Sequence, residues 1–167
     1  MTYNTLERIT RRAACMTLGE NSKNFDKWLV TCNFNEDIEI EGYDIGTSVE
    51  LSFDPAISPF KYFSSDVVFY VSVHEDGCGD MQVFFGNSCY DTDTVKNTVE
   101  ALSGDALGCW YIAEDFNDES GLHIMRDFEF DPDSQSDLLN KITDCFSELC
   151  EPKIADTLRS FIHYFED

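Results

Sequence analysis

The chain has 167 residues, with 33 Asp and Glu against 11 Lys and Arg, and a formal charge of −22 at pH 7. Such a surface repels nucleic acid and anionic lipid, lacks the basic stripe that direct nucleic-acid binding needs, and attracts basic protein surfaces. Hydrophobic residues at 43% and aromatics at 14% exclude a disordered acidic tail, and the length suits one domain over residues 1–167.

The first element is a helix. Leu6, Ile9, Ala13 and Met16 recur three or four apart, which predicts a helix from about Thr5 to Leu18. Asn4 followed by Glu7 fits a capping box, and Gly19 fits a C-terminal stop. Arg8, Arg11 and Arg12 on its outer face are the densest cationic cluster in the sequence.

Five period-two segments follow. They are centred on Trp28–Phe34, Ile38–Ile40, Val49–Phe53, Val67–His74 and Met81–Phe85. Alternation of this kind predicts antiparallel strands with one face on a core. In the fourth, Val67, Phe69, Val71 and Val73 face one way, and Val68, Tyr70, Ser72 and His74 the other. Residues Glu75 to Asp80 read as a hairpin loop, and Pro55 and Pro59 bracket a surface excursion. In the loop between Pro59 and Ser64, Phe60, Tyr62 and Phe63 read as core plugs or, alternatively, as interface anchors, as does Phe116 further on.

The period then lengthens. Val95, Val99 and Leu102 predict a short helix, with Gly104 after it. A second hairpin is expected, with Trp110 and Ile112 on one strand, Phe116 to Gly121 in the turn, and Leu122, Ile124, Phe128 and Phe130 on the other strand. Leu138, Leu139, Ile142, Cys145, Phe146 and Leu149 predict an amphipathic helix. Pro152 interrupts it and starts a last helix carrying Ile154, Leu158, Phe161, Ile162 and Phe165. The expected architecture is α+β: an antiparallel sheet of about five to seven strands with helices packed on one face, in the order α-βββββ-α-ββ-αα.

The charge is segregated. Residues 33–95 hold thirteen Asp and Glu and one cation, Lys61, while residues 105–137 hold ten and only Arg126. On a strand, alternate side chains share a face ~6.6–6.8 Å apart. Asp37, Glu39 and Glu41 form such a row; Asp127 and Glu129 start another, extended beyond the strand by Asp131 and Asp133. With Asp44, Glu50, Glu114, Asp115, Asp118 and Glu119 these are the candidate partner-binding residues. Solubility asks for a net charge of only about 2 to 8 in magnitude. Opposed like charges cost a sheet roughly 0.2–1 kcal/mol per pair. The excess points to a use, although a merely solvated face is the alternative.

Recognisable chemistry is absent. Zinc binding at His74, Cys78, Asp76 and Asp80 lacks a second ligand pair. Asp115, Asn117 and Glu119 imitate the start of a calcium loop, but Ser120 stands where Gly is needed and Arg126 where Glu is needed. No GxSxG, P-loop or GxGxxG occurs, so no catalytic residue, cofactor or metal is expected. Seven cysteines, an odd number without a CxxC, read as reduced thiols in a cytoplasmic protein. The N-terminus lacks the apolar run of a signal peptide, and no stretch reaches the ~18 apolar residues of a membrane helix.

The element order resembles the chaperone fold of type III secretion, shared by the YbjN-like proteins. The segments that carry it are Asp93–Ser103, Gly108-Cys109-Trp110-Tyr111-Ile112, Leu122–Phe130 and the long helix after them. The resemblance implies a small, acidic, cytosolic protein-binding module, with a dimer open to it. The charge profile is similar to that of phage-encoded DNA mimics, the anti-restriction and anti-CRISPR inhibitors. The leading expectation is a non-enzymatic acidic inhibitor or decoy that binds a basic nucleic-acid-binding surface of a partner protein. The alternative is a binding module of the secretion-chaperone type.

Overall fold

A computed structural model describes residues 2–17, 29–38, 46–53, 67–86, 108–112, 121–154 and 156. Its elements are helix α1 (Tyr3–Thr17), strands β1 (Leu29–Ile38), β2 (Gly46–Phe53), β3 (Val67–His74), β4 (Cys78–Gly86), β5 (Tyr111–Ile112) and β6 (Gly121–Glu129), and helix α2 (Gln135–Cys150). The fold is α+β. The strands form an antiparallel sheet in the order β1-β2-β3-β4-β6-β5, so a contiguous four-stranded centre, β2-β3-β4-β6, is flanked by β1 and the two-residue β5. The terminal helices α1 and α2 pack against each other, and α1 also packs on β2.

Strands β2, β3 and β4 alternate as their sequences predict. Val49 and Leu51 on β2, Phe69, Val71 and Val73 on β3, and Met81 and Val83 on β4 are buried. The ladder aligns Met81 with Arg126 and Val83 with Ile124, so the even residues of β6 join this face. Leu6, Ile9 and Ala13 of α1 and Leu138, Ile142, Cys145, Phe146 and Leu149 of α2 complete the core.

Several boundaries differ from expectation. Helix α1 starts at Tyr3, and the Thr2 carbonyl accepts from the Thr5 and Leu6 amides at 3.1 and 3.2 Å. Asn4 therefore lies inside the helix, and no Asn4–Glu7 capping box forms. Glu7 instead pairs with Arg11 at 2.9 Å, the i, i+4 neighbour on its own face. Segments 28–34 and 38–40 were expected as two strands, but Leu29 to Ile38 is one. Its pairing with β2 slips between Asn35 and Ile38, where one extra residue bulges β1. The loop expected over Glu75–Asp80 is only Glu75-Asp76-Gly77. The Gly77 amide closes a turn onto the His74 carbonyl at 3.2 Å, Gly77 takes φ +92°, and Cys78 resumes the strand. Gly121 belongs to β6 rather than to a turn.

Helix α2 opens on Ser134, whose Oγ accepts from the Asp137 amide at 3.1 Å. It ends at Glu151, and residues 152–154 turn helical again, as Pro152 predicts. The expected helix near Val95, the Pro55–Pro59 excursion, the loop residues Phe60, Tyr62 and Phe63, the turn residue Phe116, Gly19 and the last helix beyond 156 lie outside the described residues. Among the described residues no helix is long and apolar enough to cross a membrane.

Candidate acidic interaction surface

The polar face of the sheet is built by register. One row across it reads Ser48, Ser72, Asp80 and Asp127; the next reads Glu50, Tyr70, Gln82, Met125 and Tyr111. Strand pairing therefore joins the two anionic stretches of the sequence, setting Asp80 of the first directly opposite Asp127 of the second. Ser48 and Ser72 share a hydrogen bond at 3.0 Å, which satisfies the buried Ser48 hydroxyl.

The expected carboxylates fall into three groups. Asp127 and Glu129 sit on β6 and Asp131 and Asp133 follow it, all exposed. Glu50 sits on β2, half-buried. The backbone of Asp37 belongs to β1, beside the bulge, whereas Glu39, Glu41, Asp44, Glu114, Asp115, Asp118 and Glu119 lie outside the described residues. β1 and β6 are separated by three strands, about 19 Å at the usual interstrand spacing. The Asp37 backbone thus lies far from Asp127 across the sheet.

The β6 carboxylates form no ion pair with the cation in their own segment, whose Nη1 donates instead to the Asp127 backbone carbonyl at 2.5 Å. Arg126 alternates to the core face and grips Glu148 of α2, Nε to Oε2 at 3.1 Å and Nη2 to Oε1 at 3.3 Å. The Trp110 indole, 3% exposed, donates to the same Oε2 at 2.9 Å. Arg11–Glu7 and Arg126–Glu148 are ion pairs, and neither takes a carboxylate of the β6 row. Asp127 instead accepts from the Tyr111 hydroxyl at 2.8 Å. Burial, and then the Asp127 carboxylate, push the Tyr111 phenol up to about 12.

The row changes character after Glu129. Asp131 Oδ1 accepts from the Asp133 amide at 2.9 Å, and Asp137 accepts from the Asp131 amide at 2.8 Å. Asp131 therefore shapes the turn into α2, a role legible in Asp131-Pro132-Asp133-Ser134 as an Asx-type turn before a Ser N-cap.

Asp80 carries strain of an electrostatic kind. Burial, and secondarily the charge of Asp127, raise its pKa, against a hydrogen bond from Gln82 at 2.9 Å and the nearby His74. A carboxyl raised in the folded state adds stability below its ordinary range and loses it as pH rises through the raised value. Asp80→Asn keeps an oxygen for Gln82 and removes the charge. It is expected to raise the melting temperature by a few degrees at pH 7, since about 1 kcal/mol moves a chain of this size ~2–4 °C. The gain vanishes below the ordinary value of 3.8. Thermal melts of both proteins across that range check this; equal midpoints at pH 7 contradict it.

A cleft of about 710 Å³ joins this end of the sheet to α2, where Asp80, Asp127 and Glu129 line it with Lys141, Asp144 and Cys145. It offers no ready nucleophile. Burial holds the Cys145 thiol up at about 12, and Asp76 raises that of the exposed Cys78, so both stay protonated near pH 7. Cys78, Cys109, Cys145 and Cys150 are free. No group of three His, Cys, Asp or Glu side chains among the described residues is placed to hold a metal.

Comparison with protein-family models, with curated proteins and with solved structures found no match to this chain.

Proposed function

We propose that this protein is a non-enzymatic acidic inhibitor or decoy, acting in the cytoplasm, that occupies a basic nucleic-acid-binding surface of a partner protein. The observation that supports this reading best is the β6 row. Asp127 and Glu129 are exposed and in no ion pair among the described residues, while Arg126, the one cation of residues 105–137, is engaged by Glu148 on the core side. A row with one carboxylate per ~6.7 Å matches every second phosphate of a strand that rises ~3.4 Å per nucleotide, and Asp80 adds charge from the neighbouring strand. Held on a sheet, these charges need little ordering on contact, and the −22 field speeds encounter with a basic groove.

Such an association weakens with salt and with loss of the row. Affinity capture from lysate with the wild type is expected to retain proteins with basic nucleic-acid channels at low ionic strength and to release them at high. Asp127→Asn/Glu129→Gln is expected to retain them about ten-fold less. Partners held equally well at both ionic strengths and by both proteins would instead favour an apolar mode. That is the binding expected of a secretion-chaperone-like module.

A further inference from the structure

The exposed cations of α1 converge on one place. Arg8 and Arg12 stand one turn apart and line, with Ile9, Gln135, Ser136 and Leu139, a groove of about 400 Å³ between α1 and the start of α2. Arg8 Nη2 donates to Gln135 Oε1 at 3.1 Å, a neutral acceptor. No carboxylate pairs with Arg8 or Arg12 among the described residues, whereas Arg11 and Arg126 each have one. In a chain with three carboxylates for every cation, two guanidinium groups open to a groove are a deficit of anions at one spot.

The missing anion lies next door. Asp133, exposed and in no ion pair among the described residues, is two residues from Gln135, which lines the groove. The α2 cap on Ser134 and the turn on Asp131 fix the Asp133 backbone in place. The same surface thus carries a cationic groove and an anionic turn side by side. That is the arrangement a two-fold contact requires, since each patch meets the other twice. We infer that the groove is the contact between two copies of this chain, Arg12 of each facing Asp133 of the other, over a floor of Ile9 and Leu139.

Two chains of −22 repel at long range, but at 0.15 M salt the screening length is ~8 Å, short enough for a local pairing of opposite charges to act. The contact makes no use of Asp127 or Glu129, so it stands or falls apart from the proposed function.

Sedimentation at 0.15 M salt tests it. The 19.1 kDa chain is expected to associate to twice that mass at tens of micromolar. Arg12→Glu and Asp133→Lys are each expected to weaken association about ten-fold or more, because each change acts at both contacts of the pair. An equal mixture of the two variants is expected to recover the dimer, since every contact then joins opposite charges. Circular dichroism checks that the variants fold, and Arg12→Gln, which removes charge without reversing it, serves if Arg12→Glu does not. A wild type that stays monomeric, a dimer indifferent to both substitutions, or a mixture no more associated than either variant alone overturns the inference.

Discussion

Gly77→Ala is expected to lower the unfolding free energy by about 2–4 kcal/mol, the sum of a left-handed backbone penalty and an overlap that cannot relax cheaply. The backbone at Gly77 has φ +92°, and an added Cβ would lie 2.5 Å from the Phe130 carbonyl oxygen. That oxygen belongs to backbone, and its neighbourhood is fixed, because the Phe130 amide donates to the Gly77 carbonyl at 2.8 Å. The substitution therefore strains the β3–β4 turn and loosens the end of β6, where the acidic row runs. Urea unfolding measures the loss; a midpoint within error of the wild type contradicts it. Gly79→Ala is the comparison. There the added Cβ would meet the Phe128 ring at 2.5 Å and the Ser72 carbonyl oxygen at 3.1 Å, but φ lies outside the left-handed region, so the backbone penalty is absent and a smaller loss is expected.

Glu148→Ala is expected to cost about 2–3 kcal/mol, the usual price of stranding donors that a charged acceptor had satisfied. Two elements lose their anchor to α2 at once, because the carboxylate takes the Arg126 fork from β6 and the Trp110 indole before β5. Both charged side chains are about three-quarters covered, so water repairs the loss only in part. Glu148→Gln keeps an oxygen for Trp110 and is expected to lose about half as much. Chemical unfolding of both variants checks the order, and equal losses would show that charge, not the acceptor, is what matters. Glu148→Ala also frees Arg126 beside Asp127, which makes it a stability probe only and unsuited to binding tests.

What could be read from the sequence follows the distance over which each signal acts. The stripe Leu138, Leu139, Ile142, Cys145, Phe146 and Leu149 and the alternation of Phe69, Val71 and Val73 are local periodicities, and all of these but the half-buried Leu139 are buried as the period predicts. Pro152 ends α2 for a reason confined to its own ring. Errors sit where two local signals compete. Asn4 and Glu7 have the spacing of a capping box, but Thr2 offers an earlier start, and Arg11 offers Glu7 a better partner. Residues 28–40 keep one apolar parity on both sides of the polar run Asn35–Glu36–Asp37, and it is within that run that the pairing with β2 slips while the strand continues.

The site was legible only in its composition. Charge segregation marked β6 and the turn after it as acidic. That Arg126 turns inward to Glu148, 22 residues away, and that Asp80 lies opposite Asp127 depend on strand order, which no local pattern encodes. The same order sets the Asp37 backbone at the far side of the sheet from Asp127, a separation that their like spacing in sequence does not show.

An acidic decoy of this kind and a nucleic acid are expected to compete for one groove. Displacement of labelled nucleic acid from a captured partner measures that competition directly. Wild-type protein is expected to release the label fully, with Asp127→Asn/Glu129→Gln needing about ten-fold more protein. A partner that holds both ligands together, its label undisturbed at saturating protein, would contradict it.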